Sequence, residues 1–220
     1  MSITGNVVVV LGDVIGSRSA SAAAPSGRRR VEQAVALTNR RVAAIQPLTP
    51  TIGDEFQGIY ADVMSSLDAT LTVRSALLGE VDVRFGIGSG LLTAFDDEAA
   101  PYRQDGPAWW AAREAIDLVR DAEQRQERGR GLRTRWIDAG THDPFTVASV
   151  NAFLVCRDEL VAGMDPRDAG TMLGLLADEP LSAIAEREGV SVSAISQRAI
   201  RNGLYAIRQA HRGLREAAAR

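Results

Sequence analysis

Three carboxylates, Asp13, Asp54 and Glu55, carry the chemistry most readily read from this chain. Asp13 follows Gly12 at the end of the apolar run Val7-Val8-Val9-Val10-Leu11, and Asp54 follows Gly53 and precedes Glu55-Phe56-Gln57-Gly58-Ile59-Tyr60. A short β-branched run bounded by glycine signals a buried strand, and a Gly-Asp pair at its end signals a tight turn, because glycine supplies the positive φ. Two such strands side by side in one sheet would aim Asp13 and Asp54 at a common point. Carboxylates that converge with no lysine beside them repel one another unless a cation lies between them. An oxygen-only ligand set of this kind suits Mg²⁺ or Mn²⁺, which in turn hold substrate phosphates. The plainer alternative leaves both aspartates as turn residues.

The elements that must position these groups are legible from periodicity. A small, polar, Pro-containing loop over 19–27 leads to a helix over 28–45, with Val31, Ala34, Val35, Thr38, Val42 and Ile45 at helical spacing. Pro47 ends that helix, and residues 48–60 form a hairpin around Gly53-Asp54. Asp62 caps a second helix. Residues 81–92 read as a strand with Val81, Val83, Phe85 and Ile87 alternating and Gly86, Gly88 and Gly90 between and after them. An acidic loop leads to a third helix from Pro107, and residues 133–137 form one more strand. The alternation predicts an α/β sandwich of ferredoxin-like order, an antiparallel sheet with helices on one face. From Phe145 onward the chain reads as wholly helical, which divides it into an α/β domain, 1–140, and a helical domain, 141–220.

Composition excludes several classes of chemistry. The 25 basic residues are all arginine, so no mechanism that needs a lysine, such as a Walker-type phosphate cradle or a Schiff base, is open. His142 and His211 are the only histidines, too few for a His-based zinc site. The one cysteine, Cys156, lies in the apolar run Ala152–Cys156 and is expected to be a buried structural thiol. No apolar span reaches membrane length and no basic segment precedes an apolar one near the start, so a cytoplasmic protein with no membrane partner is expected.

The motifs resemble the nucleotide-cyclase fold shared by GGDEF diguanylate cyclases and class III adenylyl cyclases. Thr51-Ile52-Gly53-Asp54-Glu55-Phe56 is similar to a GGDEF hairpin with Ile52 in place of the first glycine. Asp13-Val14-Ile15-Gly16 resembles the strand that holds the first metal ligand, and Ala111-Ala112-Arg113 the end of the Asn-x-Ala-x-Arg helix. Closer still is the SatD family, with Gly-Asp-x-Ile-Gly-Ser-Arg at 12–18, Gly-Asp-Glu-Phe-Gln-Gly at 53–58, Phe-Gly-Ile-Gly at 85–88, Asp-Gly-Pro-Ala at 105–108 and Ala-Arg-Glu at 112–114. The resemblance implies catalytic roles for Asp13, Asp54 and Glu55, with Arg113 as a phosphate clamp. It also implies nucleotide or cofactor contacts from Gly12, Gly16, Arg18, Gly53, Gly88 and Trp109, with Arg103 as a further anion contact. Trp109 stands where the cyclases carry their transition-state Asn, which argues against turnover; it would stack on a base, plug the cleft or pack in the core.

The C-terminal segment is similar to a helix-turn-helix of the sigma-factor region-four type, with helices over 165–177, 181–188 and 192–206 and Gly189-Val190-Ser191 as the turn. Residues 181–220 hold seven Arg against three Glu, a charge balance suited to duplex DNA. Ser193, Ser196, Gln197, Arg198 and Arg201 are the expected DNA contacts. A dimerisation or lid module is the alternative, since Ile200, Leu204 and Ile207 continue an apolar stripe. The expected function is therefore a homodimeric regulator that binds a nucleotide or divalent metal and duplex DNA. The competing readings are an active nucleotidyl cyclase or nucleotidyltransferase and a non-catalytic interaction protein.

Overall fold

A computed structural model describes residues 4–16, 25–51, 53–96, 103–124 and 131–218. Strand β1 (Thr4–Val14) is followed by helix α1 (Pro25–Arg41), the hairpin β2 (Gln46–Pro50) and β3 (Glu55–Tyr60), and α2 (Val63–Ala76). Then come β4 (Val83–Asp96), the short β5 (Arg103–Asp105), α3 (Pro107–Gln124) and β6 (Thr134–Asp138). Five helices complete the chain: α4 (Pro144–Ala162), α5 (Asp168–Leu176), α6 (Leu181–Glu188), α7 (Val192–Arg201) and α8 (Leu204–Ala218).

The strands form one mixed sheet in the order β2-β3-β1-β4-β5, and β6 lies parallel to the first half of β4. The other pairings are antiparallel. Both faces of the sheet are covered, which corrects the one-faced expectation. Val7, Val9, Leu11, Ile59 and Leu92 meet Ala108, Ala112 and Ile116 of α3. Val8, Val10, Phe56, Phe85 and Ile87 point the other way, toward α1, α2 and α4. A strand that is apolar at every position, as β1 is, belongs at the centre of a sheet buried on both sides.

Gly12 and Asp13 are not a turn; both lie within β1, where Gly12 faces Phe56 and Phe85 across the two neighbouring strands. The two rings meet edge to face at 5.8 Å. A Cβ on Gly12 would fall 2.3 Å from the Phe56 ring, so the glycine is there to admit an aromatic rather than to bend the chain. Gly86 and Gly88 play the same part on the opposite face. A Cβ at Gly88 would stand 2.2 Å from the Ala108 carbonyl oxygen, and one at Gly86 2.1 Å from that of Ala112. Helix α3 therefore rides directly on the backbone of β4.

The helix ends follow local chemistry. Asp62 Oδ1 accepts from the Ser65 amide at 2.8 Å, and Asp143 Oδ1 accepts from Phe145 and Thr146. Pro25 opens α1, which therefore begins inside the segment read as a loop. Gly203, at φ +72°, breaks the expected helix over 192–206 into α7 and α8. Ile200 is consequently exposed, whereas Leu204 and Ile207 are buried, so the three do not share a stripe. Cys156 is exposed, not buried. No helix among the described residues is long and apolar enough to cross a membrane.

Helix α2 is buried on two sides. Leu67 and Val73 join the sheet core, while Leu71 joins the core formed by α4 to α8 through Val161, Met172, Leu175, Ile184, Ile195, Leu204 and Ile207. Helix α4 in turn contributes Val150 and Leu154 to the sheet core. Its Asn151 lies beside the outer edge of β6, where its carboxamide accepts from the Trp136 amide at 3.0 Å and donates to the Trp136 carbonyl at 2.9 Å. Where α2, α4 and β6 meet, Asp158 accepts from Arg74 at 2.7 Å, from Arg157 at 2.9 Å and from the Arg133 amide at 2.8 Å; the Asp158 and Arg157 side chains are wholly buried.

His211 on α8 is buried against Phe153, and burial holds its pKa below the ordinary value despite the neighbouring Asp68. A histidine kept neutral by folding stabilises the native state above the unfolded value of about 6.5, and the gain is lost as pH falls through the depressed folded value. The urea midpoint of the protein is expected to fall between pH 7.5 and pH 5.5, and less steeply in His211→Phe. An unchanged slope in the variant would assign the acid sensitivity elsewhere.

Candidate functional site on the α3 face

Sheet register brings together the residues that the sequence could only suggest. Asp13 on β1 lies opposite Glu55 on β3 and opposite Arg84 on β4, so Glu55, Asp13 and Arg84 form one row across three strands on the face that α3 covers. Arg113 and Arg120, two turns apart on α3, reach down to this row. Arg113 donates to both oxygens of Glu55, at 3.0 and 3.2 Å. Arg120 donates to Asp13 Oδ2 at 3.3 Å and to Asp117 at 3.4 Å. Arg84 Nε lies 2.9 Å from Asp13 Oδ2, and its Nη1 donates to Glu123 at 3.0 Å.

Asp13 is the most buried carboxylate of the row. Burial pushes its pKa up, opposed by Arg84 and Arg120 and reinforced by the charge of Asp54. Asp54 sits in the hairpin turn after Gly53, whose φ of +85° only glycine adopts freely, and its carbonyl accepts from the Val14 amide at 3.3 Å. The turn thus docks on the end of β1, and Asp54 stands near enough to Asp13 to oppose its ionisation. Glu55 pairs with Arg113, which holds the Arg113 pKa above its ordinary value.

Of the expected ligands, Asp13 feels the charge of Asp54, and Glu55 is paired with Arg113. Among the described residues no cluster of three or more acids, histidines or cysteines is arranged to hold a metal. Two mutually repelling carboxylates, one of them desolvated, still fit Mg²⁺ or Mn²⁺, which bind through one or two carboxylates and leave further positions for substrate phosphates. Within the row, Asp13 carries two arginine contacts that a bound cation would compete with.

Several other expected contacts are placed elsewhere. Gly12 lies under Phe56, and Gly88 lies under α3, so neither backbone is open to a ligand. Gly16, at φ +69°, and Gly53 occupy exposed turns beside the row. Trp109 packs against the core beneath α3, while Trp110 is exposed and donates its indole N–H to Asp105 at 2.6 Å. Arg18 lies outside the described residues, and Arg103 belongs to β5. Arg84 and Arg120 were missed in the sequence. A charged residue inside the alternation Val83-Arg84-Phe85 was the available signal for the first, and the seven-residue step from Arg113 for the second.

In the C-terminal helices, α6 ends at Gly189 in the left-handed region, and Ser191 caps α7 by accepting from the Ala194 amide at 3.1 Å. Ser193, Gln197 and Arg201 are exposed and Ser196 is partly buried. Arg198 is engaged internally with Glu188, with Thr171 and with the Arg167 carbonyl.

A family model for the SatD family matches residues 7–208. No curated protein matches significantly. Solved structures match at low identity. A bacterial light-regulated adenylyl cyclase shares 13% identity over 62% of this chain and 44% of its own, with a TM-score of 0.47. The guanylyl cyclase domain of the RhoGC fusion protein from the aquatic fungus Blastocladiella emersonii shares 15% identity over 53% of this chain and 76% of its own, with a TM-score of 0.44. The guanylate cyclase domain from Catenaria anguillulae, solved with GTP, shares 17% over 51% and 72%, at 0.39. The chain spans less than half the length of the light-regulated adenylyl cyclase.

Proposed function

The chain belongs to the SatD family, and from the α3 face we propose that it binds a phosphorylated nucleotide with a divalent cation there, and duplex DNA through α7. The observation that carries the first part is the row Glu55–Asp13–Arg84 beneath Arg113 and Arg120. Asp13 and Asp54 would hold the cation, which when bound would neutralise phosphate oxygens. Arg113 and Arg120 are both partly exposed and offer planar forks suited to phosphate. Their carboxylate partners keep them in place until a phosphate competes for them. Trp109, partly buried against the core, stands where the cyclases carry their transition-state Asn, which favours binding over turnover.

In a thermal-shift screen of nucleoside mono-, di- and triphosphates, one is expected to raise the melting temperature in Mg²⁺ and less so in a chelator. At a hundred times its Kd a ligand stabilises by about 2.7 kcal/mol, or roughly 5–10 °C for a chain of this size. Arg113→Ala should lose most of that shift, and Asp54→Ala its Mg²⁺-dependent part. No shift with any nucleotide would sink the reading. Robust product formation that vanishes in Asp54→Ala would replace it with an enzyme.

The second part is supported by the three-residue turn between α6 and α7 and by the exposure of Ser193, Gln197 and Arg201, beside the exposed Val192 and Ile200. Full-length protein is expected to bind duplex DNA with an affinity that falls as salt rises. Arg201→Ala should shallow that slope by about one unit. Arg198→Ala should act on stability instead, because its guanidinium braces Glu188. Absence of salt-sensitive binding at low ionic strength would leave α5 to α8 as a packing element only.

A further inference from the structure

A second site lies at the edge of the sheet, where β6 meets α4. Asp138, the last residue of β6, accepts from Ser89 Oγ at 2.5 Å, from the amides of Gly140, Thr141 and His142 at 2.9, 2.7 and 2.9 Å, and from the Thr141 hydroxyl. It also accepts from His142 Nδ1 at 2.8 Å. So many donors hold the Asp138 carboxyl well below the usual carboxylate range. The carboxylate is saturated, and its service is to fix the imidazole. With Nδ1 committed as donor, the His142 Nε2 is the nitrogen left for a ligand. The ring is further held edge to face against Trp136 at 5.0 Å.

His142 opens on a groove of about 680 Å³ between the end of β6 and the side of α4. Arg135 of β6, in register with Gly86, also lines the groove. Its Nε is buried without a hydrogen-bond partner, and among the described residues no carboxylate pairs with it. Most other arginines of the fold are matched: Arg74 and Arg157 by Asp158, Arg84 and Arg120 by Asp13, Arg113 by Glu55, Arg133 by Asp82. The opposite wall is apolar, made by Val147, Ala148, Ala152 and Val155, the last half exposed. One unmatched cation and one oriented imidazole facing an aliphatic wall complement a ligand with an anionic head and an apolar body. A volume of this size suits a small molecule.

We propose that this groove binds an amphiphilic monocarboxylate, its head between Arg135 and His142 and its hydrocarbon along Val147, Ala148, Ala152 and Val155. A guanidinium matches the two oxygens of a carboxylate in parallel, and a single guanidinium matches a single charge. The proposal stands apart from the nucleotide reading: its residues lie on β6, α4 and the loop between them, and none belongs to the row Glu55–Asp13–Arg84 or to Arg113 and Arg120.

Titration calorimetry of the full chain with decanoate below its micellar concentration tests the site. Decanoate is expected to bind, while acetate and decanol at the same concentration give no saturable heat. Arg135→Gln should weaken decanoate at least about tenfold, the loss of one charge-assisted bond. Val155→Asp should weaken it similarly by wetting the wall. Arg135 is partly buried and Val155 half exposed, and the melting temperatures of both variants establish that they fold. Failure of wild-type protein to bind decanoate overturns the proposal. Equal binding by either variant does so too, since it would mean adsorption elsewhere. Tighter binding of decyl phosphate than decanoate would overturn the carboxylate assignment and make the head a phosphate.

Discussion

Asp158→Ala is expected to lower the stability of the protein by about 3–5 kcal/mol, the loss seen when one partner of a buried ion pair is removed. For a chain of this size that corresponds to a fall of roughly 6–20 °C in melting temperature. The reason lies in what surrounds the carboxylate. Two guanidiniums, Arg74 and Arg157, converge on Asp158, and the side chains of Arg157 and Asp158 have no access to water. Removing the carboxylate leaves two like charges facing each other in a dry interior. It also strands the Arg133 amide and one donor of Thr134, which reach the same oxygens. Asp158→Asn keeps the shape and part of the hydrogen bonding, and should fall between alanine and the native chain. Urea denaturation measures both. A loss below about 1 kcal/mol for alanine would mean that water reaches the guanidiniums.

Gly88→Ala should be nearly as damaging and should in addition disarm the α3 face. The new methyl would need to occupy a point 2.2 Å from both the Ala108 carbonyl oxygen and the Ala112 amide, which are helix backbone and cannot rotate aside. Helix α3 must then lift from β4. Overpacking of this kind costs about 1–3 kcal/mol, and more where backbone is displaced. Arg113 and Arg120 ride on the same helix, so a nucleotide-dependent thermal shift should shrink together with the stability. Gly213→Ala is the matched control, since a Cβ there meets nothing within 4 Å and the position lies in α8. It should leave the protein unchanged or stabilise it by up to about 1 kcal/mol. If Gly88→Ala matched Gly213→Ala, α3 would not be resting on the strand.

The sequence was most legible where structure is local. The valine run of β1, the Asp62 cap and the Gly189 turn each follow from neighbours within four residues, and each stands where periodicity and capping put it. It was least legible where a residue answers to something distant in the chain. Gly12 reads as a turn because glycine is so often one, yet what requires it is the ring of Phe56, brought over it by strand pairing. Gly88 reads as a nucleotide contact, yet it and Gly86 are room for α3. The Asp13 site was half visible. The two Gly-Asp pairs mark its carboxylates, but Arg84 and Arg120 meet Asp13 only through cross-strand register and helix docking, which their local spacing hints at without specifying. The break between α7 and α8 was hidden by apolar residues continuing past Gly203, whose backbone outweighs them.

The carboxamide of Asn151 has a consequence for how the chain behaves before it is fully folded. Strand β6 pairs with β4 on one side only, and a bare strand margin is a template on which another chain can lay a strand of its own. Asn151 occupies the Trp136 amide and carbonyl with an imitation of a peptide group, supplied by a helix that lies later in the sequence. The stopper therefore arrives only when α4 docks. Between formation of the sheet and docking of α4 this margin stands open to neighbouring molecules. Asn151→Ala, which leaves that margin bare, is therefore expected to lower the yield of refolding at high protein concentration.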